Sequence, residues 1–208
     1  MGKFIAYMAI LVFAGMALNS TVVDSKSVET VAAEPSAEPV EVPRISSIFE
    51  PSVQYWNDKI QFWAGAVGID PNLLATLMQI ESCGDPNAQS YAGATGLFQV
   101  MPFHFENSEN PYDIETNALR GLNYLKRSYE TAAGDISLAL AGYNGGISVI
   151  NQPTTSWADE TIRYVYWGSG IYQEASQGNG NSQRLAEWLT NGGASLCRQA
   201  AVNLGLNP

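Results

Sequence analysis

Glu81 closes the apolar run Leu73-Leu74-Ala75-Thr76-Leu77-Met78-Gln79-Ile80 and is the residue of this chain best placed for acid–base chemistry. A carboxyl group at the inner edge of a hydrophobic helix is costly to ionise. Its pKa therefore rises toward the range in which a general acid works near neutral pH. Gly96-Leu97-Phe98-Gln99 follows within twenty residues, and Ala141-Gly142-Tyr143-Asn144 comes later. Gln99 and Asn144 both donate and accept through their amides, and Tyr143 adds a phenol. Such groups suit the hydroxyl and acetamido groups of a sugar. Asp85 is a second carboxylate, four residues after Glu81. An inverting hydrolase would need the two carboxyls about 6.5–9.5 Å apart with water between them. Before Pro86, a turn or cap role is the more ordinary chemistry for an aspartate.

Other side chains carry two readings each. Ser82 can bond a helix carbonyl or line a cleft, and Asn144 fixes the turn into Gly145-Gly146 in preference to touching substrate. Phe98 can stack on a sugar or fill the cleft floor. Tyr164, in Glu160-Thr161-Ile162-Arg163-Tyr164-Val165, borders the site, and Glu160 pairs with Arg163 or a helix end. Trp56, Trp63, Trp167 and Tyr172 are candidate stacking platforms, but the helical spacing of Trp56 and Trp63 favours core packing. His104, between Phe103 and Phe105, has no nucleophile partner nearby in sequence and reads as structural. Cys83 and Cys197 form either a disulfide that ties the tail to the residue two places after Glu81 or two separate buried thiols. With one histidine and no ligand spacing, a metal site is not expected, and no cofactor is.

The elements that must position these groups read as helices. Residues 51–68 place Val53, Trp56, Ile60, Trp63 and Val67 on one face of an amphipathic helix. Asp70-Pro71 caps the next, which Gly84 ends in a left-handed residue. Residues 96–101 read as a short helix halted by Pro102. Asp113 starts a helix with the buried stripe Ala118, Leu122, Leu125 and Tyr129, closed by Gly134, and Asp135 caps another. Residues 157–175 show an apolar face of Ile162, Val165 and Tyr166, with a break or kink at Gly168 and Gly170. The tail, 183–204, adds one or two helices around Asn191-Gly192-Gly193. No strand-like alternation and no repeat appear, so the fold class is mainly α.

The 208 residues allow one compact domain with an extension. Lys3 and the fifteen apolar or small residues 4–18 read as a secretory signal, short of the about 20 residues of a membrane span. Retention as an anchor is the alternative, and no cysteine follows for lipid attachment. Residues 19–46 form an acidic Pro/Ala/Glu linker, 47–175 the helical domain, and 176–208 a helical extension. The chain is thus expected to be exported to the wall, the periplasm or outside, with a possible membrane tether at 4–18, and to be a monomer. The net charge of −10 is only partly the linker's. Fourteen acids and seven bases follow residue 50, which excludes a phosphate-tracking nucleic-acid binder.

The segments Glu81-Ser82, Gly96-Leu97-Phe98-Gln99, Ala141-Gly142-Tyr143-Asn144 and Glu160-Thr161-Ile162-Arg163-Tyr164-Val165 resemble the ordered motifs of soluble-type lytic transglycosylases. Asn110-Pro111-Tyr112-Asp113 with Asn117, Gly121, Tyr124 and Leu125 is similar to that family's connecting helix. The resemblance covers about residues 51–174. It implies a lysozyme-like, goose-type helical fold acting on peptidoglycan glycan strands, with Glu81 as acid and then base. It also implies a 1,6-anhydromuramoyl product and a Tyr143 hydrogen bond to the catalytic carboxyl or substrate. Ser82, Phe98, Gln99, Tyr143, Asn144 and Tyr164 are then the expected substrate contacts. The family more often has methionine at Phe98 and alanine at Gly142. A lysozyme-like or chitin-cleaving hydrolase on the same fold, and an inactive glycan-binding protein, remain as alternatives.

Overall fold

The computed structural model describes residues 44–178 and 180–206, so the expected signal at 1–18 and the linker up to residue 43 lie outside the described residues. Among the described residues eight α-helices run in order: α1 (Pro51–Gln54), α2 (Asn57–Val67), α3 (Pro71–Glu81), α4 (Ile114–Thr131), α5 (Ile136–Gly145), α6 (Asp159–Ser176), α7 (Gln183–Trp188) and α8 (Ala194–Asn203). Among the described residues there is no strand, only two isolated bridges, Gln89 to Thr95 and Thr95 to Val100. The mainly helical class is therefore the observed one.

Helix α3 is the spine of the core. Pro71 opens it and the Asp70 carboxylate accepts from the Asn72 N–H at 2.7 Å, which satisfies a free donor of the first turn. Leu73, Leu74, Ala75, Leu77 and Met78 are all buried, and α2 and α6 pack against the helix. Helix α5 lies between α4 and α6. The Asp113 and Asp135 caps form as expected, accepting from Thr116 N and Leu138 N at 2.9 Å each. Ala118, Leu122 and Leu125 make the buried stripe of α4.

Three expectations need correction. Residues 51–68 are two helices, because the backbone bends at Tyr55-Trp56 (Trp56 φ −92°, ψ 8°). The bend aims the Trp56 indole N–H at the Gly84 carbonyl, 2.8 Å away. Residues 96–101 are not a helix. Gly96 (φ 74°) and Gln99 (φ 45°) are left-handed, and a left-handed residue cannot continue a right-handed helix. The first Pro102 turn is instead a short 3-10 segment, Pro102–His104. Helix α6 runs unbroken through Gly168 and Gly170, and its buried residues are Thr161, Gly168, Ile171 and Ala175. Ile162 and Tyr166 face outward. Those two glycines serve close packing: a Cβ at Gly168 would come 2.9 Å from Leu140, and one at Gly170 2.7 Å from Arg184.

The extension is tied to the domain at several points. Cys83 and Cys197 form the disulfide, with Cα atoms 5.0 Å apart. The Asn203 amide of α8 donates to Asp85 Oδ2 at 2.8 Å. Between α7 and α8 a π-type turn, Leu189–Gly193, kinks the chain at Asn191 and Gly192. At the other end Ile45 is buried and its N–H donates to Asn57 Oδ1, so residues before 47 already belong to the packed domain.

Candidate active site

Glu81 is the last residue of α3 and shares the inner face of Leu77 and Met78, four and three residues earlier. The residue as a whole is half-buried. The surrounding protein nevertheless desolvates its carboxyl enough to push the pKa up to about 8. Burial is the main cause, and the negative charge of Glu160 adds to it. The Tyr164 hydroxyl works the other way, donating to Glu81 Oε1 at 2.5 Å and stabilising the anion. A carboxyl in this state is protonated at neutral pH and has a phenol ready to receive its charge once the proton leaves.

The chain beside Glu81 is shaped by Asn117 of α4. Its Oδ1 accepts from the Phe98 N–H at 3.0 Å, and its Nδ2 donates to the carbonyls of Thr95 at 2.8 Å and Pro111 at 3.0 Å. Gly96 lies on that amide: a Cβ there would stand 2.4 Å from Asn117 Nδ2, and φ is 74°. Only glycine meets both demands. The turn so held brings the Leu97 carbonyl to Ser82, whose hydroxyl donates to it at 2.7 Å.

Several expected substrate contacts turn out otherwise. Ser82 and Phe98 are completely buried, so neither side chain reaches a ligand. Ser82 locks the turn, and Phe98 packs edge-on against Trp63 with Gly121 behind it. Tyr143 donates to the Phe98 carbonyl at 2.8 Å rather than to Glu81. The phenol on the carboxyl is Tyr164, which residue type alone did not distinguish from Tyr143. Asn144 accepts from Thr161 Oγ1 at 2.8 Å and so joins α5 to α6. Gln99 is partly open, its amide nitrogen donating to the Ala88 and Gly96 carbonyls at 3.2 and 3.1 Å. That leaves its Oε1 to accept from a ligand. Asp85 is buried with both oxygens engaged, one by Asn87 N and the other by Asn203. Glu160 does not pair with Arg163. Trp56 and Trp63 are core residues, and Tyr172 bonds Asp70.

Two depressions are lined by residues of this region, and the larger has Tyr164 in its wall. One, of about 40 Å³, is walled by Gln99, Met101, His104, Tyr124 and Tyr143. Burial holds the Tyr143 phenol well above its usual pKa, and the Glu81 charge raises it further. His104 stacks beside Tyr124 and is depressed by burial and by Arg127. The other, of about 360 Å³, includes Ile80, Tyr164, Trp167 and, from the extension, Trp188 and Asn191. Sequence reasoning missed Trp188 and Asn191 and named Tyr124 only as part of the connecting helix, not as a site residue. Nothing local signals them, because each reaches its depression through packing of distant segments.

The family model described as transglycosylase SLT domain matches residues 58–164, which include Glu81, Gln99, Tyr143 and Tyr164. The chain is 32% identical over 115 residues to the protein named transglycosylase of Enterobacteria phage PRD1, covering 54% of this chain and 41% of that one. It is 40% identical over 61 residues to membrane-bound lytic murein transglycosylase C of Histophilus somni, covering 29% of this chain and 17% of that protein. Among solved structures it is similar to lytic transglycosylase Slt of Pseudomonas aeruginosa, with a TM-score of 0.48, 22% identity, and coverage of 61% of this chain and 25% of that one. The chain thus spans less than half the length of each of these relatives.

Proposed function

The chain belongs to the transglycosylase SLT-domain family, and from that premise we propose that it is a peptidoglycan lytic transglycosylase with one catalytic carboxyl, Glu81. The observation that carries the reading is the state of that carboxyl: pushed up to about 8 by burial and held by Tyr164. Protonated Glu81 gives its proton to the oxygen joining N-acetylmuramic acid to N-acetylglucosamine, and the muramoyl C1–O bond breaks. The substrate's own N-acetyl group supports C1 as charge develops there. The Glu81 carboxylate then takes the proton of the muramoyl C6 hydroxyl while that oxygen bonds to C1. The product carries a 1,6-anhydro ring, no water is consumed, and Glu81 is protonated again. Most glycosidases divide such work between two carboxylates. Here one suffices, because the nucleophile belongs to the substrate.

Tyr164 holds the carboxyl and takes up part of its charge after the first transfer. Tyr143 braces the turn that presents Gln99, whose free Oε1 accepts from a sugar hydroxyl or acetamido N–H. The apolar run at 4–18 supports export to the wall, and the name of the Histophilus somni relative, membrane-bound, agrees with it. A hydrolase would need a base to activate water. Asp85, buried and bonded through both oxygens, is poorly suited to that task.

The test is mass spectrometry of the sugars released from purified peptidoglycan by the full chain and by Glu81→Gln. Anhydro products, one water lighter than hydrolysed ones and absent with the variant, would support the proposal. Reducing sugars of full mass would reassign the chain as a hydrolase, and product from both proteins would remove Glu81 from the chemistry.

A further inference from the structure

We propose that the C-terminal extension is part of the substrate cleft: Trp188 and Asn191, together with Trp167 and Arg163, form a subsite for a muramoyl residue next to Glu81. The inference rests on the transglycosylase reading of Glu81 and deepens it. Trp167, Trp188 and Asn191 all lie beyond residues 58–164 and so beyond the segment the family model matches.

The larger depression has one member of the catalytic pair, Tyr164, in its wall. Tyr164 bonds Glu81, and Ile80, also in the wall, immediately precedes Glu81. Its volume, about 360 Å³, lies within the ~300–1,000 Å³ of small-molecule sites. The five tryptophans of the chain divide in a way that marks it. Trp56, Trp63 and Trp157 give their indole N–H groups to Gly84 O, Glu115 Oε2 and Val149 O. Among the described residues, the indole N–H groups of Trp167 and Trp188 have no acceptor, and these two rings line the depression. A largely buried tryptophan normally finds an acceptor. Among the described residues no fully buried side-chain nitrogen lacks a partner, so each of these two N–H groups keeps some exposure to solvent, on rings that line the depression.

The remaining polar groups complete a match. Asn191 anchors its Nδ2 on the Glu187 carbonyl at 2.8 Å and leaves Oδ1 to accept. Arg163 forms no ion pair among the described residues and supplies a guanidinium suited to a carboxylate. Two indole donors, one amide acceptor, apolar ring faces and a cation suit an N-acetyl sugar whose lactyl carboxylate is free, the muramoyl residue of a strand without its stem peptide.

The wall is preset. Gly193 lies against the Trp188 ring so closely that a Cβ there would be 2.3 Å away. Arg184 of α7 stacks on Tyr166 at 3.6 Å and donates to its carbonyl at 3.0 Å. The Cys83–Cys197 bridge and the Asn203–Asp85 bond fix the far end.

The test uses the full chain carrying Glu81→Gln, so that ligand is bound and not cut. Two probes are titrated by calorimetry: an alternating N-acetylglucosamine–N-acetylmuramic acid tetrasaccharide with free lactyl carboxylates, and tetra-N-acetylglucosamine. Adding Arg163→Gln should weaken the muramoyl oligomer about tenfold, the loss of one solvent-open charged hydrogen bond, and the neutral oligomer by less than about twofold. Adding Asn191→Ala should weaken both about threefold. Arg163 and Asn191 are exposed, so neither change threatens folding. Affinities within about twofold of the parent for both probes, equal losses on both probes with Arg163→Gln, or no binding of either oligomer by the parent would overturn the subsite. Anhydro-sugar release by the unmutated chain separates the two readings. Release with unchanged affinities sinks the subsite alone, whereas no release with a selective Arg163→Gln loss keeps the subsite and sinks the transglycosylase.

Discussion

Replacing Glu81 by Gln should stabilise this protein at high pH and leave its stability unchanged at low pH. A carboxyl with pKa 4.5 when unfolded and about 8 when folded binds its proton more tightly in the native state. Stability is then unaffected below pH 4.5, falls as pH rises from 4.5 to 8, and levels off above. The full difference corresponds to about 5 kcal/mol at about 1.4 kcal/mol per tenfold in proton affinity. The partial opening of Glu81 to solvent screens its charge, so about 2–4 kcal/mol is the expected loss. Glutamine matches the neutral acid in shape, still accepts from Tyr164 through its oxygen, and never ionises. Urea unfolding of both proteins at pH 4.5 and pH 9 isolates the effect, because every other titrating group cancels between them. The variant should exceed the parent by about 2–4 kcal/mol at pH 9 and match it closely at pH 4.5. An equal difference at the two pH values would refute the reasoning.

Tyr164→Phe removes the bond that holds the Glu81 pKa down, so the alkaline limb of kcat/KM should move above its position near pH 8 while the rate falls about 10–100-fold. Glu160→Gln removes a repelling charge and should move the same limb downward. Unmoved limbs in both would show that these residues do not set the Glu81 proton. Gly142→Ala should destabilise by about 1–3 kcal/mol. The new Cβ would stand 2.3 Å from Ser128 Oγ, which already donates to the Ala139 carbonyl at 2.7 Å. Thermal melts at neutral pH decide it, and an unchanged or higher Tm counts against the packing argument. Reduction of Cys83–Cys197, which spans 114 residues, should cost about 2–4 kcal/mol and lower Tm by roughly 5–10 °C. An identical melt after reduction, with two thiols titrated, would show that the bridge adds no stability.

What could be read from the sequence was what local physics determines. Asp70-Pro71, Asp113 and Asp135 announce helix starts because a cap is made within three residues. Glu81 was legible because helical phase alone puts it on the face of Leu77. The assignment of the phenols was not: whether Tyr143 or Tyr164 meets the carboxyl depends on how α5 and α6 dock on α3. Ser82 and Phe98 looked like ligand contacts until Asn117, from a helix further along, folded their segment inward. Helix α6 shows an apolar face in sequence that the fold leaves outside, since Gly168 and Gly170 make the opposite face the one that can approach closely. Trp188 and Asn191 depend on a bridge across 114 residues and a hydrogen bond across 118, contacts with no local trace.

The central claim is that one carboxyl is held protonated at neutral pH by its surroundings. Its most direct test is a carbon-13 NMR titration of side-chain carboxyls in protein labelled at glutamate, with the Glu81 signal assigned by its loss in Glu81→Gln. A midpoint near 8 is the expected result. A Glu81 signal that titrates near the ordinary value of 4.5 would contradict the account.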